Sequence, residues 1–178
     1  MNLGLFDELM KKKPEQQQSE WWIFLEICEA YLKKHEIKNP IIVELGIYDN
    51  RQKSFWEKLL MVEHIGIDIS SRRSVPDILG NTHDPKTLKM LKEKLKGRLI
   101  NILFIDASHN YESIKKDFEL YSPLCSDIIA FHDTKLRKRE VGKFWDEMKI
   151  KHKDFLFLSI YQHRKSRIQM GIGVMIIT

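Results

Sequence analysis

The sequence predicts an α/β protein built on one doubly wound sheet of seven strands, mostly parallel, with helices on both faces. Three observations carry this. Short β-branched runs alternate with stretches of helical periodicity from residue 41 to about residue 152, an order that calls for crossover units around a parallel sheet. The chain has 178 residues, the usual size of one domain. Its closing part holds two strand signals with no helix between them, which favours a hairpin and hence one antiparallel strand.

Residues 1–18 read as an N-terminal tail and linker, because Lys11-Lys12-Lys13-Pro14-Glu15-Gln16-Gln17-Gln18 is polar and broken by proline. A single domain over 19–178 follows, opening with a helix over 19–36. There Trp21, Leu25, Cys28 and Leu32 share one stripe at helical spacing, and Ser19 is a candidate cap. After Asn39-Pro40, the run Ile41 to Leu45 ends at Gly46 and predicts a buried strand. Phe55, Trp56, Leu59 and Leu60 space as a helix face. His64 to Ile69 and Val75 to Leu79 predict the second and third strands. Asp84-Pro85 starts a helix with proline at its first position, Leu88, Leu91 and Leu95 give its apolar face, and Gly97 stops it. Ile100 to Ile105 is the fourth strand. Tyr111, Ile114, Phe118 and Tyr121 make the next helix, closed by Pro123. Asp127 to Phe131 is the fifth strand, and Val141, Phe144, Trp145 and Met148 mark a last helix. Phe155 to Tyr161 and Gly173 to Ile177 complete the sheet.

Composition narrows the class. Apolar residues make up 43% and aromatic residues 10%, which excludes a disordered or fibrous chain. No apolar run approaches the roughly 18–20 residues of a membrane helix, so no membrane partner is expected. Met1 to Lys13 has no cleavable apolar segment, and Cys28 and Cys125 cannot make a disulfide framework. A reducing cytoplasm is the expected setting. The formal charge of +5 favours anionic partners without identifying one.

In such a sheet, ligands gather at the carboxyl ends of the strands, where the strand order reverses. The first strand ends in Glu44-Leu45-Gly46-Ile47-Tyr48, where glycine permits either a sharp turn or close approach to a ligand. The second ends at Asp68-Ile69, and an acid there suits a ribose diol. Asn81 and Thr82 follow the third strand and fit either loop structure or contact with a base edge; Asp84 reads as a helix cap. The most informative pair is Asp106-Ala107-Ser108-His109 after the fourth strand and His132-Asp133-Thr134 after the fifth. Hard carboxylates suit magnesium, and an imidazole among them shifts the preference toward manganese, iron or zinc. His109 also suits a general base. Each histidine alone reads as a structural or surface residue; it is the convergence of both segments that points to a site.

Taken together, Val43-Glu44-Leu45-Gly46, Gly66-Ile67-Asp68, Gly80 to Pro85, Leu103 to Glu112 and Ala130 to Thr134 resemble the class I S-adenosylmethionine-dependent methyltransferases. Within these they are similar to small bacterial O-methyltransferases of the cephalosporin-hydroxylase-like and methyltransferase-family-24-like kind. Gly171-Ile172-Gly173-Val174 is similar to that family's last strand, and the resemblance spans about 41 to 177. It implies a Rossmann-like sheet with the last strand antiparallel. It implies S-adenosylmethionine as cofactor, with Glu44, Gly46 and Tyr48 at its methionine end, Asp68 and Ile69 at the ribose, Asn81 and Thr82 near the adenine, and Asp106 beside it. It also implies Asp106, His132 and Asp133 as ligands of magnesium or another divalent ion, and Asp106 and His109 as catalytic residues.

The resemblance further implies transfer of a methyl group to the hydroxyl of a small, sugar-like or anionic acceptor. The chain departs from the family at Tyr48-Asp49-Asn50-Arg51, where more glycine is usual, and at Asn81 and Ser108, where acids are usual. These departures frame an alternative, a catalytically degenerate binding protein on the same fold. A nucleic-acid methyltransferase has only the charge in its favour. Basic runs at Lys135 to Arg139, Lys149 to Lys153 and Arg164 to Arg167 read as solvated surface or, for the first, as a recruiting patch at the crevice mouth. Trp21 and Trp22 raise the prospect of a homodimer through the first helix.

Overall fold

The computed structural model describes residues 1–136, 140–161 and 170–177. Its strands are β1 (Ile41–Leu45), β2 (Glu63–Asp68), β3 (Ile78–Leu79), β4 (Ile100–Ile105), β5 (Cys125–His132), β6 (Leu156–Ile160) and β7 (Ile172–Ile176). They form one sheet in the order β3-β2-β1-β4-β5-β7-β6. β1 to β5 pair in parallel, and β7 runs antiparallel to both β5 and β6. The expected mixed sheet with one antiparallel strand is therefore present. The order turns back between β1 and β4, and this is where the chain leaves a crevice above the strand ends.

The helices are α1 (Leu3–Met10), α2 (Gln18–Lys34), α3 (Pro85–Leu95), α4 (Tyr111–Tyr121) and α5 (Val141–Lys151). Side-chain alternation along the strands feeds two separate cores. Ile42, Ile102, Phe104, Ile128, Ala130 and Val174 point to the face covered by α1, α2 and the segment around Phe55. Ile41, Val43, Leu45, Leu103, Ile129 and Phe131 point to the face covered by α3, α4 and α5. Runs buried on both faces explain why the central strands read as continuous apolar stretches rather than as alternating ones.

Several expectations change. The first 18 residues are not only tail and linker: they contain α1, capped by the Asn2 side chain on the Leu5 N–H, with Phe6 and Leu9 in the core. α2 buries the predicted stripe of Trp21, Leu25, Cys28 and Leu32, but it starts after Gln17 without a side-chain cap, so Ser19 does not serve. Phe55–Leu59 is one π-type turn, closed by the Leu60 N–H on the Phe55 carbonyl. β3 shrinks to two residues because Pro76 cannot donate to a ladder, and Val75 is left 82% exposed. Trp21 is enclosed by the chain's own core and Trp22 packs edge-on against Phe6, so Trp21 offers no surface to a second copy. Asp84 caps α3 through the Lys86 N–H, with Pro85 at the first position, as the sequence reading has it. No described helix is long and apolar enough to cross a membrane.

Candidate active site

A cavity of about 590 Å³ opens over the carboxyl ends of β1, β2, β4 and β5. That size is ordinary for a small-molecule or cofactor site. Its floor is set by the turn after β1. The Gly46 N–H donates to the Ile67 carbonyl and the Asp106 N–H to the Leu45 carbonyl, which pins this turn between the ends of β2 and β4. Gly46 has φ +84°, and a Cβ there would lie 2.4 Å from the Asp106 carbonyl oxygen and 2.6 Å from Ala107 Cα. Neither neighbour can move without shifting the whole floor. Gly46→Ala is expected to lower the unfolding free energy by about 2–3 kcal/mol, from the positive φ and the overpacking together, as read by urea denaturation.

One end of the cavity holds Tyr48, Asp68, Ile69, Asn81 and Thr82. Asp68 Oδ2 accepts the Ile47 and Tyr48 N–H groups, both at 3.0 Å, and Oδ1 accepts the Ser70 N–H at 2.8 Å. A carboxylate offers about four lone-pair sites. Three are occupied by backbone, so Asp68 shapes the β1 turn and keeps room for one further donor. Asn81 Oδ1 accepts the His83 N–H, and the Thr82 carbonyl accepts the Tyr121 hydroxyl. His83 Nε2 lies 3.2 Å from both the Ser113 carbonyl and the carboxylate of fully buried Asp117.

The other end holds Asp106, His109, His132 and Asp133. His109 comes from the loop leading to α4, whose cap Asn110 accepts the Ser113 N–H. The His109 carbonyl accepts the Glu140 N–H at the start of α5, which holds the loop in place. Asp133 stands at φ +62°, a left-handed conformation that aspartate tolerates better than most residues. His109 Nε2 lies 3.0 Å from Asp133 Oδ2 and 3.6 Å from Asp106 Oδ1. His132 Nδ1 lies 3.2 Å from Asp106 Oδ1 and 3.6 Å from Asp133 Oδ1. Burial works against the Asp106 anion, yet the charge of His132 and the hydrogen bonds of both histidines outweigh it and hold its carboxyl down at about 2. Burial likewise disfavours charge on His132, but Asp106 above all and then Asp133 push it up to about 9. His109 is raised for the same reason, its burial outweighed by hydrogen bonds to Asp106 and Asp133.

The structure thus brings nearly all the predicted site residues into one cavity. The exception is Glu44, expected at the methionine end of a cofactor. It is fully buried behind the cavity, with Oε2 2.8 Å from His64 Nε2, and burial raises its carboxyl. Donor atoms of Asp106, His109 and Asp133 all lie within 4.8 Å of one another and could hold a metal ion; His132, expected beside Asp106 and Asp133, is not in that group. Two carboxylates and one imidazole fit a divalent ion of the magnesium-to-zinc range. Sequence reasoning missed Glu15, Gln16 and Gln52. Glu15 and Gln52 line the cavity, and Gln16 Nε2 donates to Asp106 Oδ2 at 3.4 Å. Nothing in a polar linker signals that it folds over a site 90 residues away in sequence.

The lining carries the carboxylates of Glu15, Asp68, Asp106 and Asp133, and among its described residues no lysine or arginine. The interior of this basic protein is therefore acidic. Of the basic runs, Lys149 and Lys151 pair with Asp146 and Glu147 on the outside of α5. Residues 137–139 and 164–167 lie outside the described residues.

No protein-family model matches the chain. An uncharacterized protein of Sinorhizobium fredii is 30% identical over 67 residues, which is 35% of this chain; the chain spans only 7% of that relative's length. Solved structures are far more informative about the fold. An O-methyltransferase from Bacillus cereus in complex with SAH superposes with a TM-score of 0.63 at 12% identity, over 99% of this chain and 92% of that one. The O-methyltransferase TomG from Streptomyces achromogenes, in complex with SAM, gives 0.67 at 12% identity over 99% and 89%. The mycinamycin-pathway methyltransferase MycE, in complex with Mg and SAH, gives 0.60 at 12% identity over 96% of this chain and 53% of its own length. The chain has the fold of the class I S-adenosylmethionine-dependent O-methyltransferases.

Proposed function

We propose that this protein is an S-adenosylmethionine-dependent methyltransferase that methylates a hydroxyl oxygen of a small, sugar-like acceptor. The observation that carries the reading is one continuous cavity with Asp68 at one end and the Asp106–His109–Asp133 cluster at the other, on this fold. When bound, S-adenosylmethionine supplies an electrophilic methyl group on a sulfonium. The chain's own residues must then orient the acceptor oxygen and take its proton. His109 Nε2 lies between the carboxylates of Asp133 and Asp106, so this cluster is where the acceptor's proton would be taken up. Tyr48 and Asp68 bound the cofactor end. In a metal-loaded state Asp106, His109 and Asp133 would instead hold a divalent ion, which would polarise the acceptor hydroxyl as a Lewis acid. A lining with four carboxylates suits an uncharged hydroxyl near the cluster and keeps any anionic group of the acceptor away from it.

The test is a calorimetric titration of S-adenosylmethionine into the purified protein with magnesium present. The expected result is micromolar binding, weakened by about tenfold in Asp68→Asn, which is roughly 1.4 kcal/mol. Absence of binding up to millimolar cofactor would overturn the methyltransferase reading and leave the degenerate binding protein.

A further inference from the structure

The mouth of the cavity has the opposite charge to its lining. Two segments border it beside Tyr48. One is the linker after α1, where Lys11, Lys12 and Lys13 precede Glu15, a lining residue; the other is the β2–β3 loop, which carries Arg72 and Arg73. All five cations are exposed. Both segments are fastened to the turn after β1. Arg73 Cζ lies 4.3 Å from the centroid of the Tyr48 ring, and the Ser74 hydroxyl donates to the Tyr48 carbonyl at 3.1 Å. Arg51 Nη1 donates to the Lys13 carbonyl at 2.5 Å, and Arg51 Nε pairs with Asp49 at 2.9 Å.

Among the described residues, the other five cations make no ion pair. Elsewhere on the surface Lys33, Lys89, Arg98 and Lys151 each have an acidic partner. Unpaired like charges held close together repel, and an anion that joins them relieves this. The ridge they form is near the chemistry. Three residues take the linker from Lys13 to Gln16, at most about 10 Å of chain, and Gln16 Nε2 reaches Asp106 Oδ2. An anion beside Lys13 and a hydroxyl at the Asp106–His109–Asp133 cluster can therefore belong to one small molecule. Phosphate is the anion that fits best. It is multiply charged, accepts from several donors at once, and matches the fork of a guanidinium.

We propose that the acceptor is a phosphorylated, sugar-like molecule, with its hydroxyl inside the carboxylate-lined cavity and its phosphate on the basic ridge of Lys12, Lys13, Arg72 and Arg73. This rests on the methyltransferase reading. The phosphate anchors and orients the acceptor and takes no part in the transfer.

The experiment titrates glucose, glucose 1-phosphate and inorganic phosphate into protein saturated with S-adenosylhomocysteine. It uses wild type and three double variants: Lys12→Ser/Lys13→Ser, Arg72→Ser/Arg73→Ser and Lys33→Ser/Lys34→Ser. The last removes the same charge at the opposite edge of the sheet, where α2 leads into β1. At low salt, wild type is expected to bind glucose 1-phosphate about tenfold more tightly than glucose, since each exposed charge contact is worth a factor of about 1.5–5. Inorganic phosphate should compete with it, and high salt should abolish the preference. Both mouth variants should lose most of the preference with S-adenosylhomocysteine affinity unchanged, and the distant variant should keep it. Equal affinity of wild type for glucose and glucose 1-phosphate, or binding of neither, would overturn the proposal. So would a distant variant that loses as much as the mouth variants, which would reduce the effect to net charge. Mouth variants that weaken S-adenosylhomocysteine itself would overturn it by giving these cations to the cofactor. A short single-stranded RNA that binds the same residues more tightly than glucose 1-phosphate would replace the small acceptor by a nucleic acid. Failure of wild type to bind S-adenosylhomocysteine at all would instead sink the methyltransferase reading beneath it.

Discussion

Asp106→Asn is expected to reduce methyl transfer by about 10²–10⁴-fold while leaving the fold intact. The substitution keeps the volume and removes the charge at the point where His109, His132 and Gln16 meet. Without it, His109 loses one of its two carboxylate partners, and the group that could hold a metal ion loses one of its two anions. Steady-state turnover against a panel of hydroxylated acceptors, alongside a far-UV spectrum, would check this. Turnover within threefold of wild type would remove Asp106 from the chemistry.

The same variant has a stability signature in metal-free protein. His132 is raised from 6.5 to about 9, so its pairing stabilises fully below pH 6.5 and the stabilisation is lost as pH rises through about 9. Asp106 is lowered from 3.8 to about 2, so its share is present above pH 3.8 and lost as pH falls through about 2. The gap between wild type and Asp106→Asn should therefore be widest between about pH 4 and 6.5 and should close toward pH 9. Urea titrations with a chelator present, at pH 5, 7 and 9, would read it.

Trp21→Ala is expected to destabilise the protein by about 3–5 kcal/mol, and by much less when the replacement is Phe. The indole is fully buried. Its ring meets Trp56 at 5.2 Å, Phe24 at 5.5 Å, Phe104 at 5.6 Å and Phe55 at 5.9 Å between centroids. It thus joins α2, the π-type turn and β4 in one aromatic cluster. Truncation opens a cavity that three rigid elements cannot close. The melting temperature should fall by on the order of 10 °C for a domain of this size. A loss under 1 kcal/mol in urea titration would mean that α2 packs more loosely on the sheet than the structure shows.

The legible parts of this protein were those governed by local rules. The Trp21–Leu32 stripe, the Asp84-Pro85 start of α3 and the β-branched runs of β1, β4 and β5 declare their elements because period, caps and propensity act over a few residues. The strand ends declare the site because a doubly wound sheet can only bring residues together above its carboxyl edge. That is why Asp68, Asp106, His109, His132 and Asp133 were found from the sequence and do share one cavity.

Other features had no local signal. α1 carries only Phe6 and Leu9 into the core, too little to stand out in eight residues. Glu44 reads as a strand-end acid, but strand alternation turns it behind the cavity, where it pairs with His64. Whether His109 or His132 joins Asp106 and Asp133 depends on ring placements of a few tenths of a nanometre, which no spacing encodes.

By itself, then, the sequence determined the sheet, its single antiparallel strand and the edge where chemistry would gather, because these follow from periodicity and chain direction. Only the tertiary structure decided that the N-terminal linker closes over that edge, that Gln16 reaches Asp106, and that the cavity of a basic chain is lined by carboxylates. Those outcomes depend on contacts between residues far apart in the chain, whose packing and desolvation are settled only when the whole fold is assembled.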